Sequence, residues 1–95
     1  MAHTFDELVA KQRAADEAHV RVRHLQESFG PPTRSPWSGE QTNAWETAWR
    51  AWRDLARDAQ LAVSEFARTE GTPRNEVEAR VKRAARHDDG DGTGA

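Results

Sequence analysis

Four apolar residues spaced by seven, Trp45, Trp52, Ala59 and Phe66, constrain this chain more than any other feature of its sequence. Ala48, Leu55 and Ala62 repeat between them, and Trp49, Ala56 and Val63 widen the stripe. Steps of three, four and seven return to one face of an α-helix. The pattern therefore predicts a long helix whose face is broad enough to bury against other helices. Ser38 begins it, with Gln41 as its capping-box partner, and Gly71 stops it after Glu70.

A second stripe precedes it. Phe5, Leu8, Ala15, Ala18, Val22, Leu25 and Phe29 share one helical face. Thr4 and Glu7 form a capping box at its start, and Gly30-Pro31 ends it. Glu7/Lys11, Arg13/Glu17, Glu17/Arg21 and Arg23/Glu27 are spaced for i,i+4 ion pairs on its outer side. Each such pair adds only about 0.2–0.5 kcal/mol. At about 1.5 Å per residue the two helices run to roughly 40–48 Å each. The Pro-rich connector 30–37 is long enough to reverse the chain between them, so an antiparallel hairpin is expected. Within that connector, Trp37 is placed to cover the open end of the hairpin near Phe29. Its loop position also implies that it matters less to stability than Trp52.

A short third helix follows at once. Thr72 can cap it and Pro73 suits its first position. Val77, Val81, Ala84 and Ala85 lie on one narrow face, which can cover the end near Val63 and Phe66. The Gly71-Thr72 turn is too short for it to reach Trp45. The fold class expected is thus all-α: a long antiparallel helical hairpin plus a short third helix, in one domain over 1–87. The helices should span about 4–29, 38–70 and 73–86. Residues 88–95, acidic and Gly-rich, should form a disordered tail.

Composition sets the depth of the core. Four Leu, six Val, three Phe and no Ile make 13 large apolar residues in 95, a low share. The net charge is only -2 and the apolar residues are periodic, so a folded protein with a thin, Ala- and Trp-rich core is expected rather than disorder. The absence of Cys removes disulfides and thiolate chemistry. No run approaches the roughly 18 apolar residues of a membrane span, and the N-terminus has no secretory pattern, so the expected location is cytoplasmic. Arg outnumbers Lys 12 to 2, which with abundant Ala suggests a GC-rich coding sequence.

Little in the chain points to chemistry. His19 and His24 are five apart and cannot share a metal as an i,i+4 pair can. The i,i+4 pair His24/Ser28 has no oxyanion donors beside it. No Gly-rich phosphate loop exists. The Asp89-Gly90-Asp91 run begins like a calcium loop but lacks the later glutamate and exiting helix. The expectation is a non-enzymatic protein with no catalytic residues, metal or cofactor, no membrane partner and no small-molecule substrate.

Three binding roles are ranked instead. First is a helical protein–protein interaction module, self-associating as a homodimer or meeting another helical protein. Trp45, Trp49 and Trp52 form its contact surface, with Arg50 and Arg53 at the rim. Second is a small DNA-binding regulator. Residues 66–86 resemble a helix-turn-helix, in which Arg74, Asn75, Arg80, Lys82, Arg83 and Arg86 would contact phosphate or bases. Third, Trp37-Ser38-Gly39 between two long helices resembles the WXG-type secreted helical hairpins. That resemblance covers 4–70 and implies export without a cleaved signal and pairing into four-helix bundles. Finally, the stretch from Trp45 to Asp54, with the Gly71-Thr72-Pro73-Arg74 turn and Glu76-Val77-Glu78, resembles small uncharacterised actinobacterial helical proteins over about 36–87. It implies a bacterial origin and no activity.

Overall fold

A computed structural model describes residues 3–94, with side chains for residues 3–86. It contains three helices, α1 (Phe5–Phe29), α2 (Gly39–Glu70) and α3 (Arg74–Gly94), and no strand among the described residues. The third helix runs to Gly94, past the end expected at 86, and the side chains over 87–95, which include the tail expected over 88–95, lie outside those described.

Both capping boxes form. The Thr4 N–H donates to Glu7 Oε1 at 2.8 Å, and the Glu7 N–H donates to Thr4 Oγ1 at 3.1 Å. Ser38 and Gln41 repeat the exchange at 2.8 and 3.1 Å. Two backbone donors that a helix start leaves unpaired are satisfied each time. The two terminators work through positive φ. Gly30 (φ 74°) donates to the Gln26 carbonyl, and Gly71 (φ 73°) to that of Ala67. A side chain is strained in that region, so glycine stops both helices cheaply.

Four contacts fix α1 and α2 as an antiparallel pair. Phe5 meets Phe66, Lys11 Nζ donates to Asp58 Oδ2 at 2.6 Å, His19 stacks on Trp52, and Phe29 reaches Trp45 through Trp37. As the α1 number rises, its α2 partner falls. Lys11 therefore reaches across the hairpin rather than along α1, and Glu7 is held by Thr4.

The seam is lined by small residues. Ala15 and Val22 of α1 face Ala48, Ala59 and Ala62 of α2, all buried. Depth comes only where α3 joins. Leu8, Val63, Val77 and Val81 are the largest side chains that are almost wholly covered, and they cluster with Ala62, Phe66 and Ala67. The third helix covers the end near Val63 and Phe66, as its apolar face implies. Val9 is buried too, beside Leu8, although the α1 stripe did not include it.

Leu55 departs from the expected stripe: it is 36% exposed. A face repeating every seven residues drifts by about 20° per turn pair on a straight helix. A stripe three positions wide cannot all point at one partner, and Leu55 falls at its margin. Leu61 is 57% exposed on the far side of α2. Leu8→Ala should therefore cost about 2–5 kcal/mol, as core truncations do. Leu61→Ala should change stability by less than about 0.5 kcal/mol. Paired denaturant melts check this; similar losses would mean that the core is elsewhere.

Candidate interaction surface

At the end of the hairpin away from α3, aromatic rings replace aliphatic packing. Phe29 meets Trp37 edge-on at 5.4 Å between centroids, Trp37 meets Trp45 at 5.9 Å, and Trp45 stacks near Trp49 at 6.3 Å. The Arg53 guanidinium lies 5.3 Å over the Trp49 ring, the geometry of a cation–π contact. One turn further along α2, Trp52 stacks on His19 at 4.5 Å. The i, i+4, i+7 spacing of the three α2 tryptophans places them on one side, and the hairpin register brings His19 to Trp52 and, through Trp37, links Phe29 to Trp45.

Trp37 is fixed as well as stacked. Its Nε1 donates to the Gly30 carbonyl at 2.8 Å, tying the last residue of the connector to its first. Trp37 thus closes the hairpin over Phe29, in the place its sequence position suggests. The reading that it matters less than Trp52 is not supported by these contacts. It has two ring partners and a hydrogen bond, and the prolines around it hold the loop in shape.

All four tryptophans are only partly buried. A cleft of 760 Å³ opens beside Trp37 and Trp45, walled by Pro31, Pro32, Arg23 and Glu27. Among the described residues no acceptor reaches Trp45 Nε1, which is buried. An unmet donor costs about 1–3 kcal/mol, so this end is not fully satisfied by the chain itself. Arg53 also bonds Asp54, whereas Arg50 stands exposed on the outer side of α2 near Glu46, at 4.0 Å. The structure thus gathers Trp45, Trp49 and Arg53, sets Trp52 a turn away, and leaves Arg50 apart. Phe29, Pro31 and Pro32 join the surface; their signal was the connector's proximity to the hairpin end, which depends on register and not on spacing.

The cations of α3 are differently placed. Arg74 donates to Ser64 Oγ at 2.9 Å, to Gln60 Oε1 and to Glu78 Oε1 at 3.2 Å. Lys82 pairs with Glu78 at 3.2 Å. Arg80 lies over the Phe5 ring at 5.2 Å and near Glu70 at 3.9 Å. Only Asn75, Arg83 and Arg86, all exposed, form no bond to another described residue. The apolar position a helix-turn-helix wants near 80 is filled by Arg80, while Val81 takes the buried place.

Among the described residues no cluster of His, Asp or Glu could hold a metal ion, and no helix is long and apolar enough to cross a membrane. Comparison with family models, with curated proteins and with solved structures finds no match.

Two outcomes follow from this geometry. Trp37→Phe keeps the ring but removes the bond to Gly30, and should cost about 0.5–1.5 kcal/mol. Trp37→Ala should cost at least as much as Trp52→Ala, toward the lower end of the roughly 3–5 kcal/mol typical of buried tryptophan. Denaturant melts of the three variants decide it, and a Trp37→Ala variant as stable as the parent would dissolve the clasp. The second concerns Glu78, whose carboxyl is held below its ordinary range by the Lys82 hydrogen bond, with help from Gln60 and Arg74 and against partial burial. A carboxylate with a lowered folded pKa stabilises the protein above its unfolded value, 4.5, and loses that stabilisation as pH falls through the folded one. Melting temperatures measured from pH 6 down to pH 3 should fall less steeply for Glu78→Gln than for the parent.

Proposed function

We propose that this chain is a non-enzymatic helical interaction module that self-associates through the aromatic end of its hairpin. The observation that carries the reading is the partly buried tryptophan ladder beside an apolar cleft, at the end away from α3. Tryptophan is the residue most enriched where binding energy concentrates, and arginine at such sites stacks and bonds at once. A contiguous exposed apolar patch on a small protein usually marks a contact surface. Two-fold pairing is the commonest way to cover one. Trp45, Trp49 and the Trp37 edge supply its apolar part, bordered by Arg53 and Arg23.

A role for α3 in DNA binding has less support. Arg74, Arg80 and Lys82 already face carboxylates of the same chain, so presenting them to phosphate would break those pairs. The remaining Arg83 and Arg86 sit on a chain of net charge -2. A DNA site of this kind predicts steep weakening of binding with salt. Export as a WXG-type hairpin draws support from Trp37 closing the turn, and predicts recovery of the protein from culture medium.

Sedimentation equilibrium at tens of micromolar should give a dimer, and Trp49→Glu should shift it to monomer while keeping the helical signal. A monomer at every concentration would end this reading.

A further inference from the structure

The outer face of α1 carries a charge pattern that changes sign about its own centre. Val20 is 53% exposed and stands at the middle. Four residues before it is Asp16 and three before it is Glu17; three after it is Arg23 and four after it is His24. All four are exposed. Glu17, Arg23 and His24 form no hydrogen bond or ion pair with another described residue, and Asp16 accepts only from Gln12, at 2.9 Å. Among the described residues, only Gln12 pairs with this face.

A second copy of the same face supplies what is missing. When two identical helices lie antiparallel about a two-fold, a residue placed before the axis meets one placed equally far after it. With Val20 on the axis, Glu17 meets Arg23 and Asp16 meets His24, each pair occurring twice. We propose that two copies of this chain pair with α1 antiparallel to α1 and Val20 on the two-fold axis. This rests on the self-association reading and adds its orientation.

The same axis relates the two ends of the molecule. Leu8, where α3 is seated, lies as far before Val20 as Pro32 lies after it. The end of each copy raised by α3 therefore stands level with the Trp37–Trp45 cleft of the other, whose wall includes Arg23 and Glu27 of α1. The His19–Trp52 stack shows that Trp52 lies at the level of the axis, so the ladder from Trp49 to Trp37 falls in the half that faces the other copy's α3. The pairing joins a thick end to a recessed one, and opposite charges across the middle fix the register.

The chain contains no Cys, so a single introduced thiol reports proximity without interference. Packed helices have axes about 8–10 Å apart and Cα atoms about 2.3 Å from each axis. Two axial residues thus come to roughly 4–5 Å, near the Cα separation of a disulfide. Val20→Cys in the full chain should oxidise to a covalent dimer within minutes, whereas Leu61→Cys, on the far side of α2, should not.

The charge test runs in parallel. Glu17→Arg sets like charges against Arg23 in both symmetric contacts, and Arg23→Glu does the same against Glu17. Each variant alone should dimerise about tenfold or more weakly, since facing like charges are costly. Mixed one to one, they should recover parental affinity as a heterodimer, because each then meets its complement. All four side chains are at the surface, so a lost dimer with an unchanged melt is not a folding defect. A parental dimer with no rescue on mixing and no Val20→Cys cross-link would overturn this orientation and leave self-association standing. A parental chain that stays monomeric would overturn both.

Discussion

Depth of burial is the constraint on which the rest of this molecule depends. Two helices alone make a seam one side chain thick, and here that seam is largely alanine and valine. Only the junction with α3 surrounds large side chains on all sides, and Leu8, Val63, Val77 and Val81 take those places. Burying a branched aliphatic side chain contributes about 1.5–3 kcal/mol, far more than an alanine at the seam. The Gly71-Thr72-Pro73 turn holds α3 at that end, so the strongest packing is concentrated there.

The other end must be held by different means, and aromatic rings do it. An indole covers more apolar area than any aliphatic side chain and loses only two torsions when it is ordered. Trp37 closes the loop through one hydrogen bond and two ring contacts, which a small hydrophobe could not provide. The cost is that rings packed at an uncovered end keep exposed edges. The feature that completes the hairpin is thus the feature that leaves ring edges uncovered, and on the proposed reading stability and recognition share the same residues.

What the sequence made legible was local. Caps, terminators, the limits of α1 and α2 and the α3 face follow from rules that act over three or four residues, and α1 and α2 each start one residue inside their caps. What it hid depended on the register between helices. The i,i+4 pair Glu7/Lys11 was sound by spacing, but pairs of that kind contribute only about 0.2–0.5 kcal/mol and yield when a carboxylate such as Asp58 arrives from across the seam. Arg74 and Lys82 read as contacts for phosphate or bases; their pairs with Glu78 are local i,i+4 contacts, and the register adds Gln60 and Ser64 to Arg74. Trp37 read as a loop residue, because nothing in its neighbours says that Gly30 and Trp45 will meet there.

The hairpin has a second open groove, and its chemistry makes the tryptophan end the better candidate for a contact surface. That groove, 450 Å³, runs along Ala18, Ala44, Ala48 and Ala51, with Arg21 and Asn43 at its edge. A helix laid in it would approach closely, yet alanine offers little area to remove from water, and hydrophobic gain scales with that area. At the tryptophan end the rings are large, already immobilised, and bordered by Arg23 and Glu27, which carry both signs of charge. Ordering cost is the main loss when a surface binds, and here much of it is met on folding. Unpaired charges on α1 then supply what apolar area alone lacks, a preference for one orientation of the partner over its reverse.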